Sequence, residues 1–292
     1  LNAQSEPTLD LVHLALPKGR METGVLALLN DAGIRVTFGR RGYRPSLSVE
    51  GFETKILKPQ NIVEMLHLGS RDIGFAGADW VAELGAELVE LVDTGLDPVS
   101  VVAAATPAFA DDGLAQAPFI VASEYLRLTQ DWLKRRGLRA TVVRSYGATE
   151  VFPPEDADCI VDNMATGETL RANGLVIVDE LMRSSTRLYA NPHALEHSAK
   201  RERIERLVLL LRSVLDARQR VMLEVNVPAD RLEAVIAVLP SMREPTMAPL
   251  HGDQGFAVKA AVPRLDLPTV IPEIKVRGGT DIVVTALAQI VS

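Results

Sequence analysis

DCIVDNMATGETL, residues 158–170, begins as the apolar run Cys159-Ile160-Val161, turns polar at Asp162-Asn163, and passes through Ala165, Thr166 and Gly167 into Glu168-Thr169-Leu170. The first part reads as a buried strand and the last as the opening of a helix, with a small-residue turn between them. Backbone N–H groups at a helix start bind phosphate, and Thr166, Gly167 and Thr169 allow close approach while adding hydroxyl donors. Asp162, at the strand end, is placed to accept hydrogen bonds from ribose hydroxyls, with Asp158 further back along the strand. A carboxylate there also favours positive charge developing at a sugar carbon. Spacing alone leaves a second reading open, an ordinary strand-to-helix turn capped by Thr166 or Thr169 with no ligand.

The same alternation extends in both directions. Upstream lie LVHLALP (11–17), a helical stretch from Met21 to Asn30 ending near Gly33, and DIGFAG (72–77). A second unit follows the apolar run VSVVAAATP: strand FIVAS (119–123), a helix from Glu124 to Arg136 stopped by Gly137, and strand ATVVRS (140–145). The pattern predicts an α/β protein with a mainly parallel sheet, whose binding loops lie at the carboxyl ends of the strands. Two such units predict two lobes around a cleft, with the chain crossing near Thr106 and returning near Arg183. The expected division is lobe I at 1–106 with 183–215, lobe II at 107–182, and a separate region at 216–292.

Residues 192–220 read as one long connecting helix. Beyond it come VMLEVNVP (221–228), helix ADRLEAVIAVL (229–239), strands around REPTMAPL and GFAVKAAVP, a helix with Pro268 near its start, and strand DIVVTAL. That order, β-α-β-β-α-β, is the ferredoxin-like unit. Pro153-Pro154 prevents any helix from running through the segment before Asp158.

Of the 292 residues 47% are hydrophobic and 24% charged, the balance of a folded chain and not of a disordered one. A net charge of -7 argues against nonspecific nucleic-acid binding, which depends on many Lys and Arg contacts to phosphate. Local positive charge for a small anion is nonetheless present at Lys18, Arg20, Arg40, Arg41, Arg44, Lys55, Lys58 and Arg71, or else these are solvated surface bases. Cys159 is the single cysteine, so no intramolecular disulfide or cysteine-rich zinc site forms. No apolar run suits a membrane span and LNAQSEPTLD lacks the pattern of an export signal, which makes the cytoplasm the expected location. His13, His67, His193, His197 and His251 form no metal motif, and Trp80 and Trp132 sit at apolar helix positions expected in the core.

Taken together these stretches resemble the ATP phosphoribosyltransferases of the long form. The family's phosphoribosyl pyrophosphate loop is an acidic strand end, then Thr or Ser, Gly, any residue and Thr-Leu, followed by Ala-Asn-Gly-Leu. Here these are Asp162, Thr166, Gly167, Thr169, Leu170 and Ala172-Asn173-Gly174-Leu175. ALPKGR (15–20) is similar to the family's opening, ILKP (56–59) to its second strand and turn, and DIGFAGADWVAELGA (72–86) to its segment with Gly77 and Asp79. EPTMAPL (244–250) looks like the hallmark of the long form's extra domain, and the likeness runs in order from Leu11 to Val291.

The resemblance implies a two-lobed core like a periplasmic solute-binding protein, a C-terminal ferredoxin-like, ACT-like α+β regulatory domain, and a homo-oligomer, hexamer or dimer. The implied reaction is attack of adenine N1 of ATP on C1 of phosphoribosyl pyrophosphate, the first step of histidine biosynthesis, with Mg2+ carried on the substrate phosphates and no permanent metal. Asp162, Lys18 and Arg20 are the implied catalytic residues. The resemblance assigns Asp158, Asp162, Ala165, Thr166, Gly167, Glu168 and Thr169 to phosphoribosyl pyrophosphate. It assigns Lys18, Gly19, Arg20, Gly77, Asp79 and Glu150 to ATP. Asn226 and Thr246 match the positions for histidine, the expected inhibitor, and Asn226 stands where some relatives carry an acid. The rival is a non-catalytic solute- or amino-acid-binding sensor of the same two-lobed fold.

Overall fold

The computed structural model describes residues 11–39, 42–115, 118–242 and 244–291; Arg40 and Arg41, counted above among the local bases, lie outside them, as does Arg243 at the start of the REPTMAPL stretch. Packing divides the chain into two compact units. The first holds the chain to Ala27 and Ile34–Glu205, and the second holds Leu28–Gly33 and the chain from Arg206.

In the first unit, β1 (Val12–Pro17), α1 (Arg20–Asp31, whose last residues belong to the second unit), the two-residue strands β2 (Val36–Thr37) and β3 (Ser46–Leu47), β4 (Phe52–Leu57), α2 (Pro59–His67), β5 (Ile73–Gly77) and α3 (Ala78–Leu84) build one half. After the long strand β6 (Val89–Ala105), the elements α4 (Pro107–Asp112), β7 (Phe119–Ser123), α5 (Leu126–Arg136), β8 (Ala140–Arg144), β9 (Cys159–Met164) and α6 (Glu168–Ala172) build the other. The long strand β10 (Val176–Ala190) then returns, followed by α7 (Pro192–Glu196) and α8 (Ser198–Gln219).

Eight of these strands form one sheet in the order β4-β1-β5-β10-β6-β9-β7-β8. The expectation of a mainly parallel sheet needs correction. The trios β4-β1-β5 and β9-β7-β8 are parallel, but β10 runs antiparallel to β5 and β6, and β6 antiparallel to β9. The cause is that β6 and β10 each serve both halves. β6 pairs with β9 over Ser100–Ala105, and β10 pairs with β5 over Thr186–Ala190. The two strands that carry the chain between the halves are thus part of the sheet themselves, β6 reaching the second half from Ser100 and β10 the first from Thr186.

Burial follows from strand alternation. Val101, Ala103, Val121, Cys159 and Val161 face the side covered by Tyr125, Trp132 and Leu133 of the α5 segment, while Val102, Ala104, Ala122 and Ile160 face Leu170 and Leu175 on the other. Strands buried on both faces read as unbroken apolar runs, which is why VSVVAAATP at the end of β6 carries no polar alternation; FIVAS follows it except at Ile120, which is exposed. In the first half, Ile62 and Leu66 of α2 pack on β5, so closely that a Cβ at Gly74 would lie 2.6 Å from Ile62 Cγ2. α5 ends as its sequence requires, with Gly137 left-handed at φ 65° and Lys134, Arg135 and Arg136 in its last turn.

The expected single helix over 192–220 is two helices separated by an extended His197 (φ −80°, ψ 113°). Anchors on either side override helix propensity. Asn191 caps α7 by accepting from the His193 N–H and donates to the Leu66 carbonyl, while Lys200 in α8 pairs with Asp72 at 2.8 Å.

The second unit continues from α8 into β11 (Arg220–Val227), α9 (Leu232–Ile236), β12 (Thr246–Pro249), β13 (Phe256–Pro263), α10 (Leu267–Val276) and β14 (Thr280–Ala286). The helix expected over 229–239 is shorter, a 3-10 turn at Ala229–Arg231 followed by α9. Its four strands run in the order β12-β13-β11-β14, all antiparallel, which is the ferredoxin-like arrangement. Val221, Leu223, Val225 and Val227 alternate inward onto Val235, Val270 and Ile274. No described helix is long and apolar enough to cross a membrane.

Candidate active site

Two clefts adjoin one another in the first unit, at the carboxyl ends of β1, β5, β7 and β9. One is lined by Lys18, Arg20, Gly77, Asp79, Trp80 and the Ser184–Thr186 stretch of β10. The other is lined by Arg20, Glu124, Glu150, Asp162 and the whole turn from Asn163 to Leu170. Arg20 and Asn163 line both.

The turn after β9 takes its shape from Gly167, the left-handed residue (φ 74°) before α6. The Thr166 hydroxyl accepts weakly from the Glu168 N–H at 3.4 Å, and Arg171 donates to the Thr166 carbonyl at 3.0 Å. Thr166, Glu168 and Thr169 are exposed, so the loop stands open at the cleft. Asp162 accepts from the Asn163 N–H at 2.7 Å. Burial, with Glu124 and Glu150 close by, pushes its carboxyl up to about 6.

The first cleft is organised differently. Asp79, in the first turn of α3, is 5% exposed and does not cap that helix. Its carboxylate accepts from the Tyr125 hydroxyl at 2.6 Å and from the Ser184 hydroxyl at 2.7 Å, and its N–H donates to the same serine at 3.0 Å. Burial and Asp79 hold the Tyr125 phenol far above its ordinary range, so it remains a donor. Asn163 donates to that phenol at 3.0 Å.

Lys18 and Arg20 flank Gly19, which needs its glycine at φ 88°; the Lys18 ammonium lies 5.3 Å from the Tyr43 ring centroid. Glu150, expected beside ATP with Asp79, lines the cleft with Asp162 instead. Asp158 is not brought to either cleft. It precedes β9 at the far end of the strand, where its carboxylate accepts from the Ile120 N–H at 2.8 Å; four residues of strand separate it from Asp162 by roughly 13 Å. Arg71 likewise lies before β5, away from the clefts, and reaches toward Glu53 at 3.7 Å. Trp132 is core, as expected, but Trp80 is half-buried, stacks on Tyr125 at 4.8 Å and lines the first cleft.

Sequence reasoning missed Glu124, Tyr125, Asp97 and Ser184. The first two directly follow the apolar strand FIVAS, at a carboxyl end where ligands bind in such sheets, and that position was the available signal. In the second unit, Asn226 and Thr246 share the face of the sheet turned away from its core, with Asn226 opposite Ala257 and Thr246 opposite Lys259. Asn226 donates to Asp281 at 3.1 Å.

Adjoining polar clefts at strand ends, one with an open small-residue loop beside carboxylates and the other with basic side chains over a buried acid, define a two-substrate α/β transferase. The family model HisG, ATP phosphoribosyltransferase, matches residues 58–213, and the HisG C-terminal domain matches residues 217–289. An ATP phosphoribosyltransferase of Pelotomaculum thermopropionicum is 34% identical over 289 residues, covering 96% of this chain and 99% of the relative. One of Chlorobium luteolum is 35% identical over 280 residues, 93% of this chain and 95% of the relative. Among solved structures, the ATP phosphoribosyl transferase (HisG:HisZ) complex from Thermotoga maritima matches at 25% identity and a TM-score of 0.63, over 70% of this chain and 99% of that chain. The chain belongs to the ATP phosphoribosyltransferase family, the pentosyltransferases of the first step of histidine biosynthesis.

Proposed function

We propose that the cleft rimmed by residues 162–170 takes phosphoribosyl pyrophosphate and the cleft over Asp79 takes ATP, so that adenine N1 attacks C1 of the sugar where Arg20 and Asn163 border both. The adjoining clefts with this shared border carry the reading. Amides and hydroxyls of Thr166, Gly167, Glu168 and Thr169, with Ala165 beside them, cradle the 5′-phosphate. Asp162 accepts from the ribose hydroxyls and offsets positive charge growing at C1. Lys18 and Arg20 neutralise phosphate oxygens, and Gly19 and Gly77 let backbone approach the nucleotide. N1 has a free lone pair, so no base needs to act first. The rate then rests on orientation of two polyanions and on charge placed where it develops.

A hard cation suits the donor set. Among the described residues no group of three or more His, Cys, Asp or Glu forms a metal cage. The carboxylates of Asp162 and Glu150 line a cleft that receives a polyanion, the arrangement by which Mg2+ is held through one or two carboxylates, water and substrate phosphates. Held there by Asp162 and Glu150, such an ion would supply positive charge to the departing pyrophosphate.

The proposal includes the division into lobe I (1–106 with 183–215), lobe II (107–182) and a regulatory region (216–292), the chain acting as a homo-oligomer in the cytoplasm. Histidine binds the second unit near Asn226 and Thr246 and inhibits by favouring an inactive arrangement. Purified protein given ATP, phosphoribosyl pyrophosphate and Mg2+ should release pyrophosphate only when both substrates are present, and added histidine should suppress it. Release that needs one substrate alone, or none at all, rejects the assignment; release indifferent to histidine rejects the regulatory part.

A further inference from the structure

The two clefts are joined by one side chain that the reaction itself does not call for. Tyr125 stands between β7 and α5 and is fully buried at 0% exposure. Its hydroxyl donates to Asp79 Oδ2 at 2.6 Å on one side and accepts from Asn163 Nδ2 at 3.0 Å on the other. Asn163 in turn holds Asp162, its N–H donating to Oδ1 at 2.7 Å. A hydrogen-bonded line thus runs from the acid of the nucleotide cleft to the acid of the phosphoribosyl cleft through a single phenol. A phenol has one proton to give, and this one stays protonated, so the direction of the line is fixed: Asn163 to Tyr125 to Asp79.

The ring is held as firmly as the hydroxyl. It stacks on Trp80, whose neighbour Asp79 accepts the phenol's hydrogen bond. One turn further along α3, Glu83 (8% exposed) accepts from the N–H groups of Arg127 and Leu128, both at 3.0 Å, and so ties the first turn of α5 to α3. α3 belongs to the half built on β1, β4 and β5, and α5 to the half built on β7, β8 and β9. Tyr125 therefore sits where the halves are fastened together, and a ligand that reorients Asp79 alters the acceptor that Tyr125 faces and, through Asn163, the setting of Asp162.

We infer that Tyr125 is a positioning residue that couples the two substrate clefts, so that occupancy of one alters affinity in the other. This rests on the assignment of ATP and phosphoribosyl pyrophosphate to those clefts. A merely structural tyrosine would lower stability or activity, whereas coupling is measured as a ratio of affinities and is reciprocal.

The test uses ATP and ribose 5-phosphate, which keeps the phosphate and hydroxyls but has no leaving group, so binding can be followed by calorimetry at equilibrium. In the wild type, saturating ribose 5-phosphate should change the ATP Kd by about 5-fold or more, with the same factor in the reciprocal titration. Tyr125→Phe, which keeps the stack on Trp80, should bring that factor to within about 2-fold of unity while both ligands still bind. Asn163→Ala, at an exposed position, breaks the line from its other end and should do the same, which guards against a Phe variant that fails to fold. Glu83→Gln should lower Tm and leave the factor in place. Retention of the wild-type factor in both Tyr125→Phe and Asn163→Ala, or a factor of one in the wild type, overturns the inference. If wild type fails to release pyrophosphate from ATP and phosphoribosyl pyrophosphate, it is instead the underlying assignment that fails.

Discussion

The two clefts put acidic groups to opposite uses. Asp79 is buried with both carboxylate oxygens bonded by hydroxyls, a satisfied arrangement that holds its geometry without ligand. Asp162 is raised chiefly by burial, and the nearby carboxylates of Glu124 and Glu150 add to it. The difference teaches that one cleft is preorganised by hydrogen bonds, whereas in the other a carboxylate is held at an electrostatic cost that a bound cation would relieve.

The largest effect expected from this contrast is on turnover. Asp162→Ala should lower kcat/KM for phosphoribosyl pyrophosphate by roughly 100- to 1000-fold without unfolding the chain, because a charge used in the transition state is removed from a site already under repulsion. Steady-state kinetics with a thermal melt checks both halves of the statement, and an unchanged kcat/KM would remove Asp162 from the mechanism.

Asp79→Ala should do the reverse, costing stability first. It strands two buried hydroxyls, Tyr125 and Ser184, for a loss of about 2 kcal/mol, read from denaturant unfolding. A variant as stable as the wild type would mean that the network is not what holds this cleft.

The pH dependence of stability separates the clefts further. Asp162 titrates from 3.8 in the unfolded chain to about 6 in the folded one. Over that window the folded state binds more protons, so this group's contribution to stability falls as pH rises and is fully lost above the folded value. Asp162→Asn should therefore be more stable than wild type by on the order of 1–2 kcal/mol near pH 7.5, with no gain near pH 4. Equal gains at both pH values would show that charge is not the cause.

The smallest effect tests the loop itself. Gly167→Ala forces a left-handed conformation on a residue with a Cβ, which would also lie 3.0 Å from Met164 Sδ. A cost of about 1 kcal/mol is expected, appearing as a several-fold higher KM for phosphoribosyl pyrophosphate with KM for ATP little changed. A rise in both Michaelis constants would argue against separate clefts.

Much of this was legible because it is local. The strand, turn and helix of 158–170 occupy consecutive residues, and Gly137 and Gly167 mark their own turns. In the last region the first strand was readable from alternating apolar residues, Val221, Leu223, Val225 and Val227, and the βαββαβ order from the elements that follow it. The mixed sheet was not legible, because the apolar run at the end of β6 does not say which strands flank it. Asp158 was misplaced for a related reason: adjacency in sequence to Asp162 suggested a shared site, but a strand carries its two ends apart.

By itself the sequence determined the alternation of elements, the small-residue loop with its glycine, and the acid near the end of β9, since backbone preference and burial period act over a few residues. Tertiary structure alone decided that Asp79 meets Tyr125, 46 positions away, and Ser184, 105 positions away, and that Glu150 joins Asp162. Those meetings depend on β6 and β10 being shared by both halves of one sheet, and pairing of distant strands follows from how the whole apolar surface is buried, which no short stretch encodes.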